Sequence, residues 1–167
     1  MKVSYYFGLI QTLAIIPAPV RIGLIAQDVI RLEGMFCIFD LPPLESEPQL
    51  LPIAGSIEDL LANPELEYLV VDMSSPAEGF ETLERICRVR PSARMIVIGP
   101  DDDEELILES IVAGAKAYLD LTAKPEIVRT AIGIVMSGSI WAPRRLLAKL
   151  IDRLLGVLNT CNPAAAS

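Results

Sequence analysis

The feature that most constrains this chain is a repeated switch between short, fully apolar runs and amphipathic stretches. EYLVVD (67–72) and RMIVIG (94–99) are apolar at consecutive positions rather than at alternate ones. A strand built from such a run has no polar face to give to water, so it must be covered on both sides. VRIGLIA (20–26), LLPIAG (beginning at Leu50) and KAYLDL (from Lys116) read as further strands, the second weakened by Pro52 and therefore expected at an edge.

The stretches between these runs carry helical periodicity and helical end signals. Asp28 is positioned to cap VIRLEGMFCIF, whose residues Ile30, Met35, Ile38 and Phe39 are expected on one apolar side. SIEDLLANP opens on a serine cap with acids in its first turn and stops at Pro64. GFETLERICRV places Phe80, Leu83, Ile86 and Cys87 at helical spacing. DDDEELILESIVAGA starts with five acids, which the positive end of a helix favours, and stops at Gly114. KPEIVRTAIGIVMSG is the helix after the fifth strand, whereas DLPPLESEP (40–48), with three prolines and three acids, is a loop. Five strand–helix alternations with right-handed crossovers predict an α/β fold: a five-stranded parallel sheet with helices on both faces, of the flavodoxin-like type. In such a sheet the functional crevice lies at the carboxyl ends of the strands, where Asp72, Gly99 and Ala26–Asp28 should meet.

The expected organisation is an N-terminal extension (1–19), one domain (20–138) and a C-terminal helix and linker (139–167). At 167 residues the chain can bury a full core without disulfides or metal. A net charge of −8 argues against a grip on nucleic acid, which needs clustered Lys and Arg. The absence of histidine excludes Ser-His and Cys-His catalysis and His-ligated zinc. With no base, nucleophile or phosphate-cradling glycine loop in view, no enzymatic turnover is expected. Cys37, Cys87 and Cys161 are odd in number and lack C-x-x-C spacing, which suits reduced thiols in a cytoplasm, with the two in apolar helical stretches, Cys37 and Cys87, expected as core fillers. VSYYFGLIQTLAIIPAP near the N-terminus is interrupted by Ser4, Gln11 and Thr12 and is short for a membrane span. It reads as an extra helix or strand packing on the domain, with a targeting or membrane segment as the alternative and a partner chain as another place for its apolar surface.

Several motifs in their order resemble the receiver domain of NarL/LuxR-type response regulators. They are D-x-x-x-P at Asp72–Pro76, R-P-S-A-R at 90–94, G-A-K-A-Y at Gly114–Tyr118 and G-x-I-W-x-P-R-R-L-L at 138–147. The resemblance runs from about Val20 to Leu155, broken only by the 40–49 insertion. It implies a phosphoacceptor position at Asp72 and a switch aromatic at Tyr118. It also implies an acidic pair binding Mg²⁺, a hydroxyl after the fourth strand and a lysine after the fifth. Aligned through the EGM at 33–35, Ala26 and Gln27 stand where the acidic pair belongs, Gly99 where the hydroxyl belongs and Leu121 where the lysine belongs.

Phosphoryl transfer depends chiefly on neutralising charge, and this set lacks both the metal-binding acids and the cation. The resemblance therefore implies an atypical receiver, a pseudo-receiver in which Asp72 is inactive and no cofactor is held; Mg²⁺ would belong to it only if phosphorylation were retained. Asp28, one residue beyond the expected pair, would return a carboxylate to the pocket if the register shifted. Asp72 reads equally as a strand-end aspartate bonding the amides of the next turn. One alternative is a working receiver phosphorylated at Asp72 by a histidine kinase. Another is a small-ligand sensor using a pocket lined by Ala26, Gln27, Gly99 and Leu121.

After Pro143, expected at a first helical position, Leu147, Leu150, Ile151, Leu154, Leu155 and Leu158 form an apolar stripe with Arg144, Arg145, Lys149 and Arg153 off it. That helix either folds back on the domain or serves as a dimerising or interdomain helix. The expected function is signal transduction and transcription regulation through protein contacts and homodimerisation. In the resembled family the linker to a helix-turn-helix DNA-binding domain starts at such a helix, so the chain is expected to be either a fragment of a longer transcription factor or a regulator that acts only by contacts.

Overall fold

The computed structural model describes residues 17–160; the apolar segment 1–16 and Cys161 lie outside them. Five strands alternate with helices: β1 (Val20–Ile25), α1 (Val29–Phe39), β2 (Leu50–Ala54), α2 (Ile57–Ala62), β3 (Tyr68–Asp72), α3 (Pro76–Val89), β4 (Arg94–Gly99), α4 (Glu104–Val112), β5 (Ala117–Asp120) and α5 (Pro125–Met136). A 3₁₀ turn (Arg144–Leu146) leads into α6 (Leu147–Thr160). All strand pairings are parallel, in the order β2-β1-β3-β4-β5. This is the expected flavodoxin-like sheet. Its order reverses between β1 and β3, the switch point at which such sheets open a crevice.

The uninterrupted apolar runs are explained by the two layers. Every residue of β3 is buried. Leu69 and Val71 face a core shared with α2, α3 and α4, whereas Tyr68 and Val70 face one shared with α1 and α5. Both sheet edges are blunted against pairing with another chain. Pro52 lies in β2 on one side. On the other, Trp141 makes a parallel bridge to Ala117, donating to the Lys116 carbonyl at 2.8 Å and accepting from the Tyr118 amide at 3.3 Å.

Three sequence expectations change. Ile30 is exposed rather than in the α1 core face. Asp28 caps α1 through the Ile30 amide, so Val29 and Ile30 occupy the first turn and project beyond the layer. The inward face is Leu32, Met35, Phe36, Ile38 and Phe39. Cys87 and Cys37 are exposed rather than core. The buried face of α3 is Gly79, Leu83 and Ile86, and one residue past Ile86 turns Cys87 about 100° away from it. Finally, Pro143 precedes the 3₁₀ turn as its cap instead of opening a helix, and the α6 stripe is divided. Leu150, with Leu146 before it, enters the core beside α4, but Leu147, Ile151, Leu154, Leu155 and Leu158 face outward.

Candidate functional site

Asp72 ends the central strand, and its ladder continues one step further through the Met73 amide to the Ile98 carbonyl at 2.8 Å. That pairing holds the Asp72 side chain at the floor of the crevice, with no exposed surface. Buried carboxylates need partners, and this one has three contacts. The Ser74 amide donates to Oδ1 at 3.2 Å, the Ser74 hydroxyl donates to Oδ2, and the Arg31 guanidinium lies 3.5 Å from Oδ2. Arg31 comes from α1 and is about one third exposed, so it closes the carboxylate off from above. Its role was not read from the sequence. Its position three residues after the capping Asp28 places it in the first turn of α1, over the strand ends, and that spacing was the available signal.

The other carboxylates around the crevice are engaged by the backbone in the same way. Asp28 accepts from the Ile30 amide at 2.6 Å, Asp103 from the Leu106 amide at 3.0 Å, and Asp120 from the Thr122 amide at 2.6 Å and its hydroxyl at 2.9 Å. Each sits at the start of a helix or turn, where free amides attract an acceptor. Asp28 thus takes part in a cap.

Gly99 ends β4 beside Tyr118 of β5. A Cβ at position 99 would collide with the Tyr118 hydroxyl and stand 3.1 Å from its Cζ and 3.2 Å from the Met73 Cβ. The tyrosine ring fills the space that a side chain at 99 would need. Tyr118 is buried and donates to the Pro100 carbonyl at 2.8 Å. Burial first, and then the nearby carboxylates of Asp103, Asp101, Asp120 and Asp102, raise its pKa well above the ordinary phenol value.

The residues grouped in the ligand-pocket alternative line separate depressions. Gly99 and Leu121 border one with Arg31, Asp103 and Asp120. Ala26 and Gln27 border another, against Gly55, Ser56 and Arg85. A divalent cation does not fit the donor set at the crevice. Magnesium takes several oxygen ligands in near-octahedral array, but Asp72 is enclosed by Ser74 and a guanidinium, Asp28 caps α1, and Ala26 has no donor side chain. Among the described residues no cluster of three or more acids and cysteines is arranged to hold a metal, and no helix is long and apolar enough to cross a membrane.

No protein-family model and no curated protein matches this chain. Solved structures do match it, and they are response-regulator receiver domains. A two-component response regulator of the LuxR family from an Aurantimonas species has a TM-score of 0.62 at 18% identity, over 82% of this chain and 99% of that one. A LuxR family DNA-binding response regulator from Silicibacter pomeroyi gives 0.57 at 19%, over 75% and 98%. The isolated receiver domain of RcsB from Salmonella enterica serovar Typhimurium, in the apo form, gives 0.59 at 17%, over 82% and 98%. At these identities the likeness establishes the fold: the chain has the five-stranded parallel architecture of a receiver domain.

Proposed function

We propose that this chain is a receiver-type signalling domain that acts through protein contacts without phosphorylation of Asp72. The supporting observation is the enclosure of the Asp72 carboxylate: its side chain has no exposed surface, with Ser74 and Arg31 on its oxygens. A phosphoacceptor must present an oxygen lone pair to an incoming phosphorus in line with the leaving group. Here Asp72 already carries a cation as its counter-charge, so the site stands neutralised without metal or phosphate. Gly99 has no hydroxyl for a phosphoryl group, and Tyr118 packs into that space. The outputs that fit are contacts made by the domain's helices with a second copy, with a DNA-binding domain in the same protein, or with a partner regulator of transcription.

A second reading rests on one specific observation, that Arg31 is a cation within reach of Asp72. In that reading Arg31 supplies the charge that the missing lysine would provide, and a histidine kinase phosphorylates Asp72. Incubation with a small-molecule phosphodonor, with and without Mg²⁺, followed by intact-mass measurement separates the two. The first reading expects an unchanged mass under both conditions. A single phosphoryl gain that disappears in Asp72→Asn would overturn it in favour of the second.

A further inference from the structure

Helix α6 has two apolar sides with different surroundings. On the inner side Leu146, just before the helix, and Leu150 are buried in the core with α4. Flanking them, three bases pair with the acidic start of α4. Arg145 lies 3.5 Å from Asp101 and from Glu104, Lys149 lies 2.6 Å from Glu104, and Arg153 lies 2.6 Å from Glu105. These contacts fix the rotation of the helix about its axis. The outer side therefore cannot turn inward to hide Leu147, Ile151, Leu154, Leu155 and Leu158, which are 44, 56, 37, 53 and 65% exposed.

The spacing of the outer residues identifies what suits them. Leu147, Ile151, Leu154 and Leu158 follow one another at intervals of four, three and four. That is a/d spacing over two heptads, with a β-branched residue at one a position and leucine at both d positions, the composition that favours two strands. The helix bases are already matched by acids of the same chain, so the seam carries little unbalanced charge. Two copies of a chain of net charge −8 can approach there with less repulsion than elsewhere. Both sheet edges are blunted, by Pro52 and by Trp141, and the exposed large apolar side chains outside α6, such as Ile30, Leu44 and Val89, are spread along the rest of the chain. A stripe of five partly exposed side chains on one 14-residue helix is a small patch, in the size class of weak, reversible associations rather than obligate ones.

We infer that the outer face of α6 is the seam of a homodimer, with α6 pairing against α6 of a second copy. This is independent of the state of Asp72: a chain that takes up phosphate and still pairs through α6 contradicts only the function proposed above.

Sedimentation equilibrium of the full chain over a hundredfold range of concentration tests it. The average mass should rise from 18.2 kDa toward twice that value. Ile151→Glu should weaken association at least tenfold, and Ile30→Glu, on α1, should leave it unchanged. Because α6 is anchored through Leu146 and Leu150, both variants should keep the wild-type circular dichroism spectrum. Leu158→Glu, in the last turns, provides a second seam variant if Ile151→Glu fails to fold. A wild-type chain that stays monomeric throughout overturns the inference. So does a dimer indifferent to both seam variants, or one disrupted equally by Ile30→Glu. If the wild type is monomeric and Ile151→Glu raises amide exchange in residues 1–16, the seam is instead covered by the chain's own N-terminal segment.

Discussion

Two neighbouring parts of one crevice, at the ends of β3 and β4, are closed by different physics. At Asp72 the compensation is electrostatic: a guanidinium and two hydrogen bonds balance a buried carboxylate. At Gly99 it is steric: the Tyr118 ring takes the volume that a side chain would occupy and fixes its hydroxyl on the Pro100 carbonyl. The distinction matters because the two kinds of compensation fail differently. Packing in a dense core tolerates almost no added volume, whereas a partly exposed ion pair can be loosened and replaced in part by water.

The strongest way to break the comparison is to add volume at position 99. Gly99→Thr restores a hydroxyl at the strand end but sets its Cβ against Tyr118 and Met73. We expect a loss of about 3 kcal/mol or more in urea unfolding, the upper range for overpacking. In Tyr118→Phe, which lacks the colliding hydroxyl, the same substitution should cost measurably less. Equal costs in the two backgrounds would show that Tyr118 does not hold the position.

The corresponding test at Asp72 should give a smaller effect. Arg31→Met leaves a buried carboxylate with only its Ser74 contacts, at a cost of about 2 kcal/mol. That is below the figure for a fully buried pair because Arg31 retains some solvent access. Asp72→Asn should largely relieve that cost, so the double variant should be more stable than the sum of the single effects predicts. Strict additivity would mean that the pair carries no energetic coupling, and the electrostatic half of the comparison would fail.

How much of this was legible beforehand follows the same division. Periodicity revealed the sheet because apolar runs such as YLVVD record burial on both faces, and burial is a local demand on sequence. It also gave the Asp28 and Ser56 caps, whose partners are two and three residues away. It failed wherever the outcome depended on which way a side chain was turned by distant packing. Ile30 and Cys87 look apolar enough for the core, yet the cap at Asp28 and the register of α3 turn them to solvent. The α6 stripe was visible as a pattern, but packing on α4 and pairing with its acids, some 45 residues earlier, determine which part of it faces in. At the crevice, Gly99 reads as a missing hydroxyl; that Tyr118 fills the space is visible only in three dimensions. The spacing of Arg31 from Asp28 puts it over the strand ends, but that local signal does not single out Asp72, 41 residues later, as its partner.

The smallest expected effect sharpens the steric half. Tyr118 is a phenol whose pKa in the fold lies above its ordinary value, chiefly through burial and then through the acids around it. Below about pH 10 both the folded and the unfolded chain keep that proton, so it contributes nothing to the pH dependence there. Above that value the unfolded chain releases the proton while the folded chain retains it. Unfolding then becomes easier as pH rises from the unfolded toward the folded pKa. Tyr68, also raised mainly by burial, adds a part of the same sign. Tyr118→Phe should therefore flatten the alkaline decline without abolishing it. The comparison to make is the difference in urea midpoint between wild type and variant at pH 9 and at pH 11, since lysine titration is common to both. A decline equally steep in Tyr118→Phe would mean that the ring opens to solvent easily. In that case Gly99 would be a tolerated vacancy rather than a space closed by the tyrosine.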